Sequence, residues 1–95
     1  MVNKEQYKEK VKAQLREWDA KIDQLKAKAD RAKAEFKIDY THHLEELRSK
    51  RERTKAKLEE LKVAGDKAWE SVKDGLEKAS ADLKRALDEA VSKFK

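Results

Sequence analysis

The chain contains no cysteine and no proline, and only two of its 95 residues are glycine. Without cysteine it offers no disulfide, thiolate nucleophile, zinc finger or iron–sulfur cluster. Because it has no proline and so little glycine, the chain has few residues that would interrupt a long helix. No apolar stretch approaches the roughly 20 residues of a membrane span, and the alternating β-branched runs typical of strands are missing. These absences favour an all-α protein.

Charged residues are the most abundant class in this chain, at 47% against 38% hydrophobic. Such a composition leaves too little apolar material for an ordinary globular core, whereas a helix needs only a narrow apolar seam. The length has room for one domain, which we place at 1–95. The N-terminus is charged from Lys4 onward and lacks the apolar segment of a secretory signal. We therefore expect a cytoplasmic, unprocessed chain.

Large apolar residues recur at alternating steps of four and three, which is the heptad spacing of a coiled coil. From Phe36 the steps become four, four and three, through Tyr40 and Leu44, so the register shifts without breaking the helix. The predicted oligomer seam comprises Val11, Leu15, Trp18, Ile22, Leu25, Phe36, Leu47, Leu58, Leu61, Gly65, Ala68, Val72 and Leu76. The fold class that follows is all-α, with long amphipathic helices forming an antiparallel coiled coil or a helical bundle.

Helix boundaries are harder to place than the seam. We predict a long helix at about 3–64 that either continues or folds back as a second helix at about 66–94. Gly65 followed by Asp66 is typical of a helix end and a new N-cap, so a break is expected at this point if there is one. The β-branched residues around Thr41 are a weaker candidate for a turn, because they lack glycine or proline.

The seam also predicts how helices pair. Two antiparallel seams centred near Thr41 would place Trp18 opposite Gly65, where the glycine leaves space for the indole. That pairing predicts that Gly65→Leu destabilises the protein by overpacking. The same pairing is compatible with either a homodimer of long helices or a monomeric hairpin. The absence of glycine and proline near Thr41 favours the dimer. We therefore expect a homo-oligomer, an antiparallel dimer or higher, with a helix of another protein as an alternative partner.

The net charge of +5 is concentrated in one basic run. Its cations are Arg48, Lys50, Arg51, Arg53, Lys55 and Lys57, opposed in the run only by Glu52. Such a run could bind nucleic acid weakly and without sequence preference. Acids are interspersed elsewhere and no basic region stands outside the heptads, which argues against a DNA-binding zipper. Because Arg51 falls on the seam, we expect an acid such as Glu52 or Asp30 to pair with it.

The two histidines, His42 and His43, are adjacent, so on a helix they point about 100° apart and cannot chelate one metal from one face. His42 with Glu46, and Asp39 with His43, have the spacing of a half-site that only a second chain could complete. Ordinary surface histidines are the favoured interpretation, and we predict no metal and no cofactor. The carboxylates have no predicted pocket to shift their pKa values, and no phosphate-binding loop is present, so we predict no enzyme activity.

Three stretches carry a resemblance to known proteins: "LREWDAKIDQLKAKADRAKAEF", "LEELRSKRERTKAKLEELK" and "AWESVKDGLEKA". They resemble a set of small bacterial coiled-coil proteins of unassigned function, over nearly the whole chain. Apolar residues repeat at 22-residue intervals at Leu25, Leu47, Trp69 and Val91. This repeat is loosely similar to exchangeable apolipoproteins, whose repeats are usually punctuated by proline.

These observations predict a structural or interaction protein, a self-associating coiled coil without catalytic activity. Three alternatives stay open: an amphipathic module on a membrane surface, weak nucleic-acid binding through the basic run 48–57, and metal binding through His42 and His43 at an oligomer interface. The apolar face is narrow and rich in alanine, which favours partner helices over lipid.

Overall fold

The computed structural model describes residues 3–94, which form three helices. They are α1 (Lys4–Asp30), α2 (Ala34–Val63) and α3 (Trp69–Lys93). The described residues contain no strand. The helices lie side by side in a rod of 51 × 17 × 17 Å, so the prediction of an all-α helical bundle is confirmed.

Helix α1 begins with a capping box. The side chain of Asn3 accepts a hydrogen bond from the backbone N–H of Gln6 at 2.8 Å, and the Gln6 side chain accepts one from the N–H of Asn3 at 3.2 Å. Two backbone donors of the first turn are thereby satisfied. The pattern of a capping residue followed three positions later by glutamine therefore determines where α1 starts.

The turn between α1 and α2 corrects the predicted helix at 3–64. Arg31 is the C-cap of α1, and Lys33 is an extended N-cap of α2, so the chain reverses over three residues. The seam carries only Ala29 and Ala32 between Leu25 and Phe36, and a reversal there sacrifices few large apolar contacts. The turn forms without glycine or proline because it lets the apolar faces of both helices be buried, and this burial offsets the conformational cost of the turn. The turn considered at Thr41 was wrong, since that residue lies inside α2.

The break predicted at Gly65-Asp66 is present, since α2 ends at Val63 and α3 begins at Trp69. The ammonium of Lys4 holds this loop by donating to the carbonyls of Lys62 at 3.2 Å and Ala64 at 2.7 Å. These two bonds satisfy carbonyls that the end of α2 leaves without helical partners.

Gly65 and Ala68 lie exposed in this loop, which corrects their assignment to the seam. A Cβ added at Gly65 would have no heavy atom within 4 Å, so the predicted packing of Trp18 against this glycine is absent. The reversal at residues 31–33 is the reason, because it moves the centre of the antiparallel pairing away from Thr41.

Cross-helix contacts define the topology. Between α1 and α2, Asp19 meets Arg51 while Lys4, at the start of α1, meets the end of α2, so these two helices are antiparallel. Helices α2 and α3 are antiparallel too, because Lys50 meets Asp82 while Tyr40, nearer the start of α2, meets Lys93 at the end of α3. Helices α1 and α3 are consequently parallel. They meet near the start of each helix, where the Lys73 ammonium lies 5.4 Å from the centre of the Tyr7 ring. The arrangement is an up-down-up bundle in which every helix touches both others.

The core consists of the inward faces of all three helices. Of the predicted seam, Val11, Leu15, Trp18, Ile22, Leu25, Leu47, Leu58, Leu61 and Leu76 are buried. Val72 is half-buried and packs against the core, while Phe36 is 47% exposed. Thr54 is fully buried, and its hydroxyl donates to the carbonyl of Lys50 at 2.9 Å, which explains how a polar residue occupies a seam position. Among the described residues, no helix is long and apolar enough to span a bilayer.

Ser80, on α3, lies at a groove of about 280 Å³ between α1 and α3. Its hydroxyl oxygen is buried and has no hydrogen-bond partner among residues 3–94. We expect Ser80→Ala to raise the free energy of unfolding by about 1 kcal/mol, because it removes an unsatisfied polar atom and introduces a better helix former. Urea unfolding followed by circular dichroism measures the change.

Ser49→Ala is the matched control, because Ser49 is exposed in the middle of α2. It should gain only the helix-propensity difference of about 0.5 kcal/mol. A loss of stability in Ser80→Ala would show that the hydroxyl has a partner in solution.

A second prediction concerns Gly65, whose backbone does not adopt positive φ. Since a new side chain there meets open space, we expect Gly65→Ala to stabilise the protein by roughly 0.4–1 kcal/mol through lower entropy of the unfolded chain. Gly65→Leu should change stability by no more than about 0.5 kcal/mol. Thermal melts of the wild type and the two variants measure these changes. A large loss of stability in Gly65→Leu would instead support the overpacked pairing of this residue with Trp18.

Candidate interaction surface

The basic run at 48–57 is divided by the fold. Lys50 lies 2.8 Å from the carboxylate of Asp82 and 3.7 Å from that of Glu46, and Lys57 lies 3.4 Å from Glu60. The hydrogen bond from Lys50 lowers the pKa of Asp82, so this carboxylate stays ionised under acidic conditions that would protonate a free one. Lys50 and Lys57, two of the six cations of the run, therefore form ion pairs with acids.

Arg51 makes the most extensive ion pair of the run. Its guanidinium contacts both carboxylate oxygens of Asp19, with the second contact at 3.0 Å, and it also donates to Glu52 at 2.6 Å. The hydrogen bond to Asp19, together with the two negative charges, raises the pKa of Arg51. The expected partner Glu52 is confirmed, but the main partner is Asp19, which lies 32 residues away in sequence. Local spacing could not have identified it.

Arg48, Arg53 and Lys55 are the three cations of the run that remain exposed, with no ion pair to any residue in 3–94. Arg48 lines a groove of about 470 Å³ together with Asp19, Asp23 and Glu52, so acids border it. The run is thus a mixed-charge surface, and it lacks the continuous positive face that phosphate binding favours.

The histidines do not converge. His42 is exposed on the outer side of α2, and His43 is half-buried with its ring 6.2 Å from that of Phe94 in an edge-to-face arrangement. Within 3–94, no three side chains of the metal-binding types come together in one group. His43 therefore acts as an aromatic packing residue at the end of the core.

The end of the bundle near residues 31–33 is incompletely covered. The Tyr40 hydroxyl donates to the Lys93 carbonyl at 3.4 Å, which places the end of α3 level with Tyr40. Helix α2, however, starts at Ala34, roughly 9 Å further along the axis at 1.5 Å per residue. Among the described residues, α3 does not reach the first turn of α2. We call the resulting hollow the end groove.

The floor of the end groove is aromatic. Phe36 lies one turn before Tyr40 on the same side of α2, and their ring centres are 6.0 Å apart. Tyr40 in turn stacks on Phe94 of α3 at 4.1 Å. Tyr40 and Phe94 are buried, whereas Phe36 keeps 47% of its surface exposed. The outer ring of a three-ring stack therefore forms an apolar face without a third helix over it.

Cations surround this floor. The end groove has a volume of about 710 Å³ and is lined by Arg31, Ala32, Lys33, Phe36, Asp39, Tyr40, Ser92 and Lys93. Three of these side chains are positive and one is negative. Within the described part of the chain, Arg31, Lys33 and Lys93 form no ion pair. The groove thus combines an exposed aromatic ring with a rim whose net charge is +2.

The sequence indicated only part of this surface. Phe36 was recognised as a seam residue, but its exposure depends on where α3 ends relative to α2. Arg31 and Lys33 were not singled out, because they lie outside the basic run and within a helix that was predicted to be continuous. The replacement of large seam residues by Ala29 and Ala32 between Leu25 and Phe36 was the available signal for a turn.

Comparison with known protein families, curated proteins and solved structures finds no match to this chain. The geometry of its own residues is therefore the basis for a functional proposal.

The open groove predicts unequal costs for two ring deletions. Phe94→Ala removes a buried ring and should destabilise the protein by about 3 kcal/mol or more, as core phenylalanine deletions do. Phe36→Ala removes a half-exposed ring that packs on one side, and we expect a cost of about 1 kcal/mol. Denaturant unfolding at low protein concentration measures both. Equal costs would mean that another part of the molecule covers Phe36.

Proposed function

We propose that this chain is a cytoplasmic structural or interaction protein without catalytic activity, and that the end groove is its contact surface. The exposed Phe36 ring is the observation that carries the proposal. A ring at a core-facing position normally gains stability by full burial, so leaving it open sacrifices stability unless another surface covers it.

The charge arrangement supports a contact role over nucleic-acid binding by the run 48–57. Cross-helix acids neutralise Lys50 and Arg51, the two cations of the run that lie nearest to the core. The cations of the end groove, by contrast, form no ion pair with any acid among residues 3–94, and they lie beside an apolar floor. An apolar centre with a charged rim is the usual anatomy of a protein–protein interface.

Self-association stays a prediction, but its expected location changes. The heptad seam was expected to be buried between chains, and in this fold most of its large residues are buried between helices of one chain. A second copy would therefore have to dock on the surface of the bundle. The end groove offers it an exposed aromatic ring in a concave surface, whereas the flank formed by Arg48 and its neighbours is mixed in charge.

Site-specific photo-crosslinking tests this proposal. Benzoylphenylalanine replacing Phe36 should give a discrete crosslinked product in the source cells, because the ring would be covered by the bound molecule. The same amino acid replacing Ile38 is the matched control, since Ile38 is 83% exposed on the opposite side of α2. Identical products at both positions, or none at position 36, would contradict a contact role for the end groove.

A further inference from the structure

The turn between α1 and α2 consists of residues that favour the interior of a helix. They are Arg31, Ala32 and Lys33, and arginine, alanine and lysine are among the strongest helix formers. Arg31 ends α1 in the right-handed region, without the left-handed glycine that ends many helices. Lys33 begins α2, and its side chain forms no capping hydrogen bond among residues 3–94. The local sequence therefore gives this reversal little support, and burial of the helix faces holds it closed.

The core-facing positions keep their helical spacing across this turn. From Leu25 they continue through Ala29, Ala32 and Phe36 to Tyr40 in steps of three or four residues. A continuous helix through residues 31–33 would thus keep the apolar faces of α1 and α2 on the same side. The turn can straighten without any change of register between the two seams.

The loop between α2 and α3 is less suited to straightening. A helix through this loop would contain Gly65 in its interior, and glycine is the poorest helix former after proline. The ammonium of Lys4 also donates to the carbonyls of Lys62 and Ala64 and holds the end of α2 in place. The turn at 31–33 is therefore the point at which the bundle opens most readily.

We propose that two copies of this chain exchange α1 by straightening the turn at 31–33, so that α1 of each copy packs on α2 and α3 of the other. The exchanged helix fits its new neighbours, because they are identical to the helices that it leaves in the single bundle. The core contacts of each bundle are retained, and the free-energy difference lies in the turns and in the contact where the two long helices cross. A second copy has to dock on the surface only while each bundle stays closed.

The two-fold axis of the exchanged dimer passes close to the straightened turns, beside Phe36. In the single bundle Lys4 lies beside the end of α2, and Asp19 lies beside Arg51. The same antiparallel register, continued to the centre of two straight helices, brings Ala32 of one chain opposite Phe36 of the other, a small residue against a large ring. The inference rests on the proposed function to this extent, since it names a second copy as the molecule that covers Phe36.

The exchanged dimer closes at two copies, because each chain gives one α1 and receives one. Its long helix runs from Lys4 to Val63, which is about 90 Å at 1.5 Å per residue, against 51 Å for the single bundle. Refolding the full chain from urea at high concentration should therefore yield a dimer that size-exclusion chromatography separates from the monomer. Small-angle X-ray scattering should give the dimer a maximum dimension near that helix length.

Ala34→Pro tests the hinge. Ala34 is the first residue of α2, where proline is well tolerated, and Lys33 before it is extended at ψ 149°, as a residue preceding proline prefers. The single bundle of this variant should therefore fold and melt no lower than the wild type. In the continuous helix the same proline is internal in both chains, so dimerisation should weaken by about a hundredfold or more. Ala56→Gly, the control, weakens the exposed middle of α2 equally in both forms and should leave the fraction of dimer unchanged.

Cross-linking identifies which helix has exchanged, since the chain has no cysteine of its own. Asp19→Cys and Arg51→Cys are made as separate variants, refolded together and treated with a short bis-maleimide. These positions meet between α1 and α2, so the exchanged dimer should join the two variants. A chain that carries both cysteines should cross-link internally as a monomer, which shows that the span is adequate. Asp19→Cys refolded with Ile38→Cys should give no product, because position 38 lies about 20 Å from Arg51 along α2.

Three outcomes would overturn the exchange of α1. They are a wild type that yields no dimer on concentrated refolding, a dimer that Ala34→Pro leaves unchanged, and a dimer that does not join positions 19 and 51 of different chains. The proposed function survives each of these if benzoylphenylalanine at position 36 crosslinks to another molecule in the source cells. It fails, whatever the refolding shows, if position 36 crosslinks to nothing.

Discussion

The narrowness of the apolar seam is the constraint on which the rest of this structure depends. With 47% of residues charged, each helix has only one thin stripe that gains free energy on leaving water. A helix with such a stripe is unstable by itself and must find neighbours. Two reversals of the chain give every helix two neighbours, and the large residues of the stripe then form one continuous core.

Electrostatics is secondary in this fold, and its cross-helix ion pairs link successive helices. The pairs Arg51 with Asp19 and Lys50 with Asp82 join successive helices at the same separation of 32 residues. Each pair is partly exposed, so its net contribution to stability is modest. Their larger consequence is on the surface, because they convert the most basic segment of the sequence into a mixed-charge flank.

The three helices do not end at the same level along the bundle, and the exposed apolar residues of α2 result from this difference. Helix α2 extends past the end of α3, which exposes Phe36, and it ends in an exposed Val63 at the other end. Residue type does not explain this exposure, because both residues are apolar and other apolar residues of α2 are buried. Their exposure follows from the positions of the two turns, and the contact surface proposed at Phe36 depends on the first of these turns.

The sequence by itself determined the helical class, the identity of most core residues and the start of α1, and it indicated Gly65-Asp66 as one of two places where the helix could break. These follow from local causes: the four-three spacing of apolar residues, the pairing of Asn3 with Gln6, and the turn chemistry of Gly65 and Asp66. Only the tertiary structure decided the reversal at 31–33, the partner of Arg51 and the end groove. A turn without glycine or proline is chosen by what its two helices bury together, and that free energy depends on contacts between residues far apart in the chain.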